Sequence, residues 1–116
     1  MKDAPPRKII SVVFYRQVSG KEPVRDWLKS LSKNQKRIIG EDIKTIEMGW
    51  PLGMPLVKNL GKGIWEARSS FKNGIARILF KIKENKMVLL HGFIKKSQKT
   101  PSEHLKVALK RAQTLR

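Results

Sequence analysis

Leu89-Leu90-His91-Gly92-Phe93-Ile94-Lys95-Lys96-Ser97-Gln98-Lys99-Thr100-Pro101-Ser102-Glu103 passes from an apolar strand pattern through a dense cationic run into a helix start. Thr100 in an N-cap position, a first-turn Pro101 and Glu103 at the third helical position predict a final helix. Leu105, Ala108, Leu109, Ala112 and Leu115 give that helix an apolar face, while Lys106, Lys110, Arg111 and Arg116 lie on its wet side. Upstream, the stretch is the last of three strands: Ile64 to Ser69, Ile75 to Lys83 and Met87 to Lys95. Lys72-Asn73-Gly74, with its hairpin-favouring Asn-Gly, and Glu84-Asn85-Lys86 are the turns of an antiparallel meander.

Farther upstream, Trp50 to Gly63 is broken by proline and glycine and reads as a surface loop. Before it come two amphipathic helices. Pro23 opens the first, whose stripe is Val24, Trp27, Leu28 and Leu31; Ser32-Lys33-Asn34-Gln35 has capping-box spacing for the second, which carries Ile39, Ile43 and Ile46 and stops at Gly49. Ile9 to Tyr15 is β-branched and aromatic, as a first strand requires, and residues 1–7, with Pro5-Pro6, are expected to fray. The expectation is one α+β domain over residues 1–116: strand, helical hairpin, three-stranded antiparallel meander and C-terminal helix, with the helices packed on one face of a small sheet.

Basic residues number 26 against 9 acidic ones, a formal net charge of +17, which attracts polyanions and points to nucleic acid. The absence of cysteine excludes disulfides, thiolate metal sites and cysteine nucleophiles. The N-terminus has no apolar signal core and no apolar run approaches the roughly 20 residues that span a bilayer, so a soluble cytoplasmic protein without a membrane partner is expected.

Alternation along the strands sorts the polar groups. Ala76, Ile78, Phe80 and Ile82 share one face, with Arg77, Leu79 and Lys81 on the other; Arg68 shares a face with Glu66 and Ile64, opposite Trp65 and Ala67. In the last strand Val88, Leu90 and Ile94 form the expected core set, and Leu89, His91, Phe93 and Lys95 face the other way. An open sheet face collecting Arg68, Arg77, His91, Phe93 and Lys95 follows. A one-residue bulge would break this sorting. Each residue also has a plain structural reading: solvated arginines, one of them paired with Glu66; a histidine bonded to backbone; a core phenylalanine; solvated lysines.

Gly63-Ile64-Trp65-Glu66-Ala67-Arg68 and Leu90-His91-Gly92-Phe93-Ile94-Lys95-Lys96-Ser97-Gln98-Lys99-Thr100-Pro101 resemble the HigB-like toxins of the RelE/ParE superfamily, in particular their phage-derived branch, and the resemblance covers nearly the whole chain. The resemblance implies a type II toxin: a ribosome-dependent endoribonuclease that cuts mRNA by attack of a ribose 2′-hydroxyl on the adjacent phosphate, with no metal or cofactor. It also implies a cognate antitoxin, of helix-turn-helix or acidic and partly disordered character, through which the complex would reach operator DNA. By the family pattern Arg68 holds the scissile phosphate, Arg77 is a second cation on the same face, and Lys95 or Lys96 is the basic residue after the last strand. Lys58 and Lys62 sit where the family has further cations. Phe93, Lys81 and Lys99 complete the expected RNA- and ribosome-binding set.

Guanidinium groups suit this chemistry because they hold a phosphate bidentately and stay charged as the pentacoordinate transition state gains charge. The proton transfers are less determined. His91 is the near-neutral titrator of the face, and a lysine with a pKa lowered by neighbouring cations would also serve, so the sequence leaves both open. Some members of the superfamily carry a tyrosine or histidine in or near the final helix. Here the one tyrosine is Tyr15, in the first strand, and His104 is the nearest substitute, with a bland reading as an exposed helix residue. That departure keeps a catalytically silent RNA- or ribosome-binding protein in view, and similarity of fold alone adds a gyrase-directed toxin.

Overall fold

The computed structural model describes residues 8–115, so the expected fraying of residues 1–7 lies outside the described residues. The element order is β1 (Ser11–Phe14), α1 (Pro23–Lys29), α2 (Lys33–Gly49), β2 (Val57–Gly61), β3 (Ile64–Phe71), β4 (Gly74–Lys83), β5 (Lys86–Lys95) and α3 (Ser102–Gln113). The class is α+β. The strands form one mixed sheet in the order β1-β5-β4-β3-β2, with β1 parallel to β5 and every other pair antiparallel. No helix among the described residues is long and apolar enough to cross a membrane.

The helical hairpin forms as its sequence predicts. Pro23 occupies the first turn of α1, and at α2 both bonds of the capping box are made: Gln35 N–H donates to Ser32 Oγ at 3.1 Å and Ser32 N–H to Gln35 Oε1 at 3.0 Å. Val24, Ile39 and Ile46 are buried against Ala67, Ala76, Ile78, Phe80, Met87 and Leu89. Two buried methylene-rich surfaces meet there, with Ser69 beside Ala76 and with Glu47, whose carboxylate accepts from Val12 N–H at 2.9 Å and so ties β1 to α2.

Three features differ from the sequence expectation. Part of the expected loop between Trp50 and Gly63 is a fifth strand, β2, whose Val57, Lys58 and Asn59 pair with Ala67, Glu66 and Trp65. The hairpin is closed by Gly61, Lys62 and Gly63 at φ 84°, 56° and 79°, a left-handed run that two glycines make inexpensive. Pro51 and Pro55 lie before the strand, so the punctuation that suggested a loop ends where pairing begins.

The helices are not confined to one face. α1 and α2 cover one side of the sheet, and α3 covers the other, where Leu105, Ala108, Leu109 and Ala112 pack on Ile64, Leu79, Val88, Leu90 and Phe93. Both faces of the central strands are apolar, so each needs a cover.

The third difference lies in β5. His91 pairs with Leu79 and Leu89 with Phe80, which leaves Leu90 as an extra residue in a bulge. The bulge shifts the alternation by one position. Met87, Leu89 and Ile94 therefore face the hairpin, while Val88, Leu90 and Phe93 face α3. The expected core set of Val88, Leu90 and Ile94 opposite Leu89, His91, Phe93 and Lys95 is thus corrected: Leu89 and Val88 exchange sides relative to Ile94 and Phe93, and Leu90 and His91, though adjacent in sequence, serve the same side.

Candidate functional site

The antiparallel register sets polar residues in rows across the α3 side of the sheet. Arg68 of β3 lies opposite Arg77 of β4, and Arg77 opposite Phe93 of β5. The adjoining row runs Lys58, Glu66, Leu79, His91. The convergence of Arg68, Arg77, His91 and Phe93 expected from periodicity is observed, and the bulge falls just beyond it.

The face is closed, however. Arg77 has no exposed surface, Glu66 has none, and Arg68 retains only 9%. What covers them is the cationic run itself: residues 97–100 fold back as a strap across the two arginines. Arg77 Nη1 donates to the Lys99 carbonyl at 3.0 Å, and Arg68 Nη2 donates to Gln98 Oε1 at 2.9 Å. The expected open face is corrected accordingly. Its physical reason is that a guanidinium on a sheet face finds acceptors most cheaply in the backbone of the next segment, and the strap is anchored on both sides, by β5 and α3.

Glu66 organises the cluster. Its Oε1 lies 3.7 Å from Arg68 Nε, and its Oε2 accepts the Thr100 hydroxyl. Thr100 is therefore not the N-cap of α3. Its hydroxyl is taken by the buried carboxylate, a costly group to leave unbonded, and Pro101 occupies the N-cap position without a side-chain bond. Two arginines against one carboxylate leave one positive charge uncompensated. Arg77 Nε and Nη2 and Glu66 Oε1 have no hydrogen-bond partner among the described residues. Burial lowers the Arg77 pKa, Glu66 opposes that, and Arg68 adds to it; a guanidinium stays charged even so. An oxyanion would satisfy both the charge and the free N–H groups.

Beside this cluster stands a stacked trio. His104 from α3 lies flat on Phe93, ring centroids 3.7 Å apart and planes 4° from parallel, and its Nδ1 is 2.8 Å from His91 Nε2. His104 Nε2 points toward the Glu103 carboxylate at 3.9 Å. That favours a proton on His104 Nε2, which makes Nδ1 the acceptor, His91 Nε2 the donor and His91 Nδ1 the bare nitrogen; this tautomer is assigned from the network. Burial, then the neighbouring His104 and Arg111, lower the His91 pKa to about 4. The His104 pKa is also lowered, chiefly by burial, with Glu103 opposing and Lys95 reinforcing. Both rings are neutral near pH 7. Arg111 is engaged elsewhere, donating to the Leu90 carbonyl at 2.6 Å.

The lysines divide into two groups. Lys95, Lys96 and Lys99 are exposed around the strap, and Lys58 is half-buried opposite Glu66. Lys81 and Lys62 lie farther off: Lys81 is four residues along β4 from Arg77, about 13 Å at the rise of a strand, and Lys62 is in the β2–β3 turn. Glu66, Gln98 and Thr100 were not among the expected site residues, and His104, weighed as a substitute for a final-helix tyrosine or histidine against a reading as an exposed helix residue, is packed on Phe93 and His91. Alternation alone put Glu66 on the face of Arg68, whereas nothing in the sequence shows that the strap and α3 fold back over that face.

Residues 26–113, more than half of the chain, match the family described as phage derived protein Gp49-like (DUF891). No curated protein matches the chain.

Proposed function

The chain belongs to the phage-derived Gp49-like family, and from that premise we propose that it is the toxin of a toxin–antitoxin system, an endoribonuclease that cleaves mRNA on the ribosome. The family is toxin-like and related to RelE. The observation that carries the enzymatic reading is the cross-strand pair Arg68–Arg77, with free N–H groups, next to a hydrogen-bonded pair of neutral histidines.

In this reading the arginines hold the scissile phosphate and stabilise the charge of the pentacoordinate transition state. The ribose 2′-oxygen forms a bond to phosphorus, the bond from phosphorus to the 5′-oxygen breaks, and a cyclic phosphate and a free 5′-hydroxyl result. His91, neutral because it is buried, accepts the 2′-hydroxyl proton at Nδ1 while His104 fixes its ring. Lys95 or Lys96 supplies the proton to the leaving 5′-oxygen. The net charge of +17 supports long-range attraction of RNA and of an acidic antitoxin.

Growth and message integrity in cells expressing Arg68→Ala and Lys95→Ala test the proposal. Both variants are expected to lose toxicity and to leave transcripts whole; undiminished toxicity in Arg68→Ala, or in Lys95→Ala combined with Lys96→Ala, would sink the assignment. Ribosomes saturated with the unaltered protein but carrying intact message would make it a silent binding protein. Broken DNA with translation continuing would make it a gyrase-directed toxin.

A further inference from the structure

The reading just given requires a phosphate to reach Arg77, and in the structure Arg77 is fully enclosed. The enclosure is held by few bonds. One is from Arg77 to the Lys99 carbonyl, and one from Arg68 to the Gln98 side chain, with the Gln98 carbonyl 3.5 Å from the same nitrogen. The third runs from Thr100 to Glu66. The rest of the strap is held by little else: Gln98, Lys96 and Lys99 are exposed, and Ser97 Oγ bonds only within the strap, to the Lys99 carbonyl at 3.2 Å.

Every strap group that meets an arginine is an oxygen acceptor, and all three are backbone or side-chain amide oxygens, standing where phosphate oxygens would bind. They satisfy the arginines incompletely. Arg77 keeps two nitrogens, Nε and Nη2, without a partner among the described residues at a site sealed from water, and the cluster keeps an uncompensated positive charge. A neutral amide oxygen is a weaker partner for guanidinium than a phosphate anion, so the closed arrangement is poised to exchange one for the other.

From this we infer that Glu66 is a positioning residue which, through Thr100, latches the strap over a closed anion site formed by Arg68 and Arg77, and that phosphate groups of RNA displace the strap when the latch opens. The inference rests on the reading of the arginine pair as a phosphate site. Glu66 does two jobs at once: it holds Thr100, and its charge keeps the two arginines from repelling one another in the low-dielectric interior. Once the strap lifts, the carboxylate stays behind the guanidiniums and orients them outward.

Arginine modification by phenylglyoxal on the full-length protein, mapped residue by residue, tests the latch without relying on cleavage. In the unaltered chain Arg77 should react far more slowly than Arg16, whose side chain is 69% exposed. Thr100→Val, which keeps the shape and removes the hydroxyl, should raise the Arg77 rate about tenfold, the effect of losing one hydrogen bond to a charged group. Thr100→Ser should restore the slow rate. Gln98→Ala, at an exposed position that puts folding at little risk, should raise the Arg68 rate. A 2′-O-methyl RNA oligomer, which has no 2′-hydroxyl to attack with, should shield Arg77 in Thr100→Val, and it should bind that variant more tightly than the unaltered chain. An Arg77 as reactive as Arg16 in the unaltered protein overturns the latch, whatever the protein does to RNA. So does a Thr100→Val rate equal to that of Thr100→Ser. An Arg77 that opens in Thr100→Val but is not shielded by the oligomer overturns the exchange with phosphate and separately counts against the nuclease reading.

Discussion

Gly92 carries the tightest packing constraint near the site, and its substitution by alanine gives a prediction with a definite sign and size. A Cβ at this position would stand 2.5 Å from Trp27 Cε3, 2.6 Å from Cζ3 and 3.0 Å from Cδ2. Contacts of that length require either the indole of α1 or strand β5 to move. Overpacking of this kind costs about 1–3 kcal/mol, and replacing a strand glycine returns about 0.5–1 kcal/mol of it through the unfolded chain. The net expectation for Gly92→Ala is a loss of about 1–2 kcal/mol, or a fall in Tm of roughly 4–10 °C for a chain of this size. Trp27→Ala alone should destabilise by about 2–4 kcal/mol, below the cost of a fully buried tryptophan because Trp27 is half-buried. In the Trp27→Ala background the clash is gone, so Gly92→Ala should become neutral or stabilising. The double-mutant cycle, read by urea denaturation with far-UV circular dichroism, should show a favourable coupling of about 1.5–2 kcal/mol. Additivity within about 0.5 kcal/mol would refute the steric argument. The cycle bears on the site because Gly92 sits between His91 and Phe93, and a displaced β5 would break the His91–His104 bond.

Three further outcomes follow from the geometry. The folded pKa of His91 is about 4 against 6.5 in the unfolded chain, so its contribution to stability is complete above 6.5 and is lost as the pH falls toward 4; the lowered His104 acts in the same direction. Discounted for partial exposure, the His91 part is about 1–2 kcal/mol, and His91→Phe should flatten the urea midpoint between pH 7 and 4.5; an unchanged slope would show that burial does not hold the ring neutral. Ser32→Ala removes the capping box of α2 and should cost about 1 kcal/mol of stability, measurable by thermal unfolding, with little effect on RNA binding. Binding of single-stranded RNA should weaken steeply with salt, and Lys96→Ala should reduce the slope of log K against log [salt] by about 0.7; an unaltered slope would remove Lys96 from the contact surface.

The sequence by itself determined the local elements. Pro23, the Ser32–Gln35 capping box and the i, i+3, i+4 stripes specify the helical hairpin, and the alternation from Ile64 to Lys95 specifies the meander, because these signals are carried by residues within a few positions of one another. The same alternation brought Arg68, Arg77 and Phe93 to one face, since strands of one meander pair in a register set by their turns. What depended on distant partners was decided only by the tertiary structure. β2 is a strand because β3 offers it an edge, and α3 takes the second face because Leu79, Leu90 and Phe93 would otherwise lie bare. The bulge at Leu90 moved Val88 and Leu89 to the opposite sides from those alternation assigned. Thr100 has the sequence of a helix cap, yet its hydroxyl goes to Glu66, because a buried carboxylate gains more from a donor than an exposed helix end does. Through that bond and those of Arg68 and Arg77 to Gln98 and Lys99, a cationic run that reads as an open RNA-binding edge becomes the cover of the arginines beneath it.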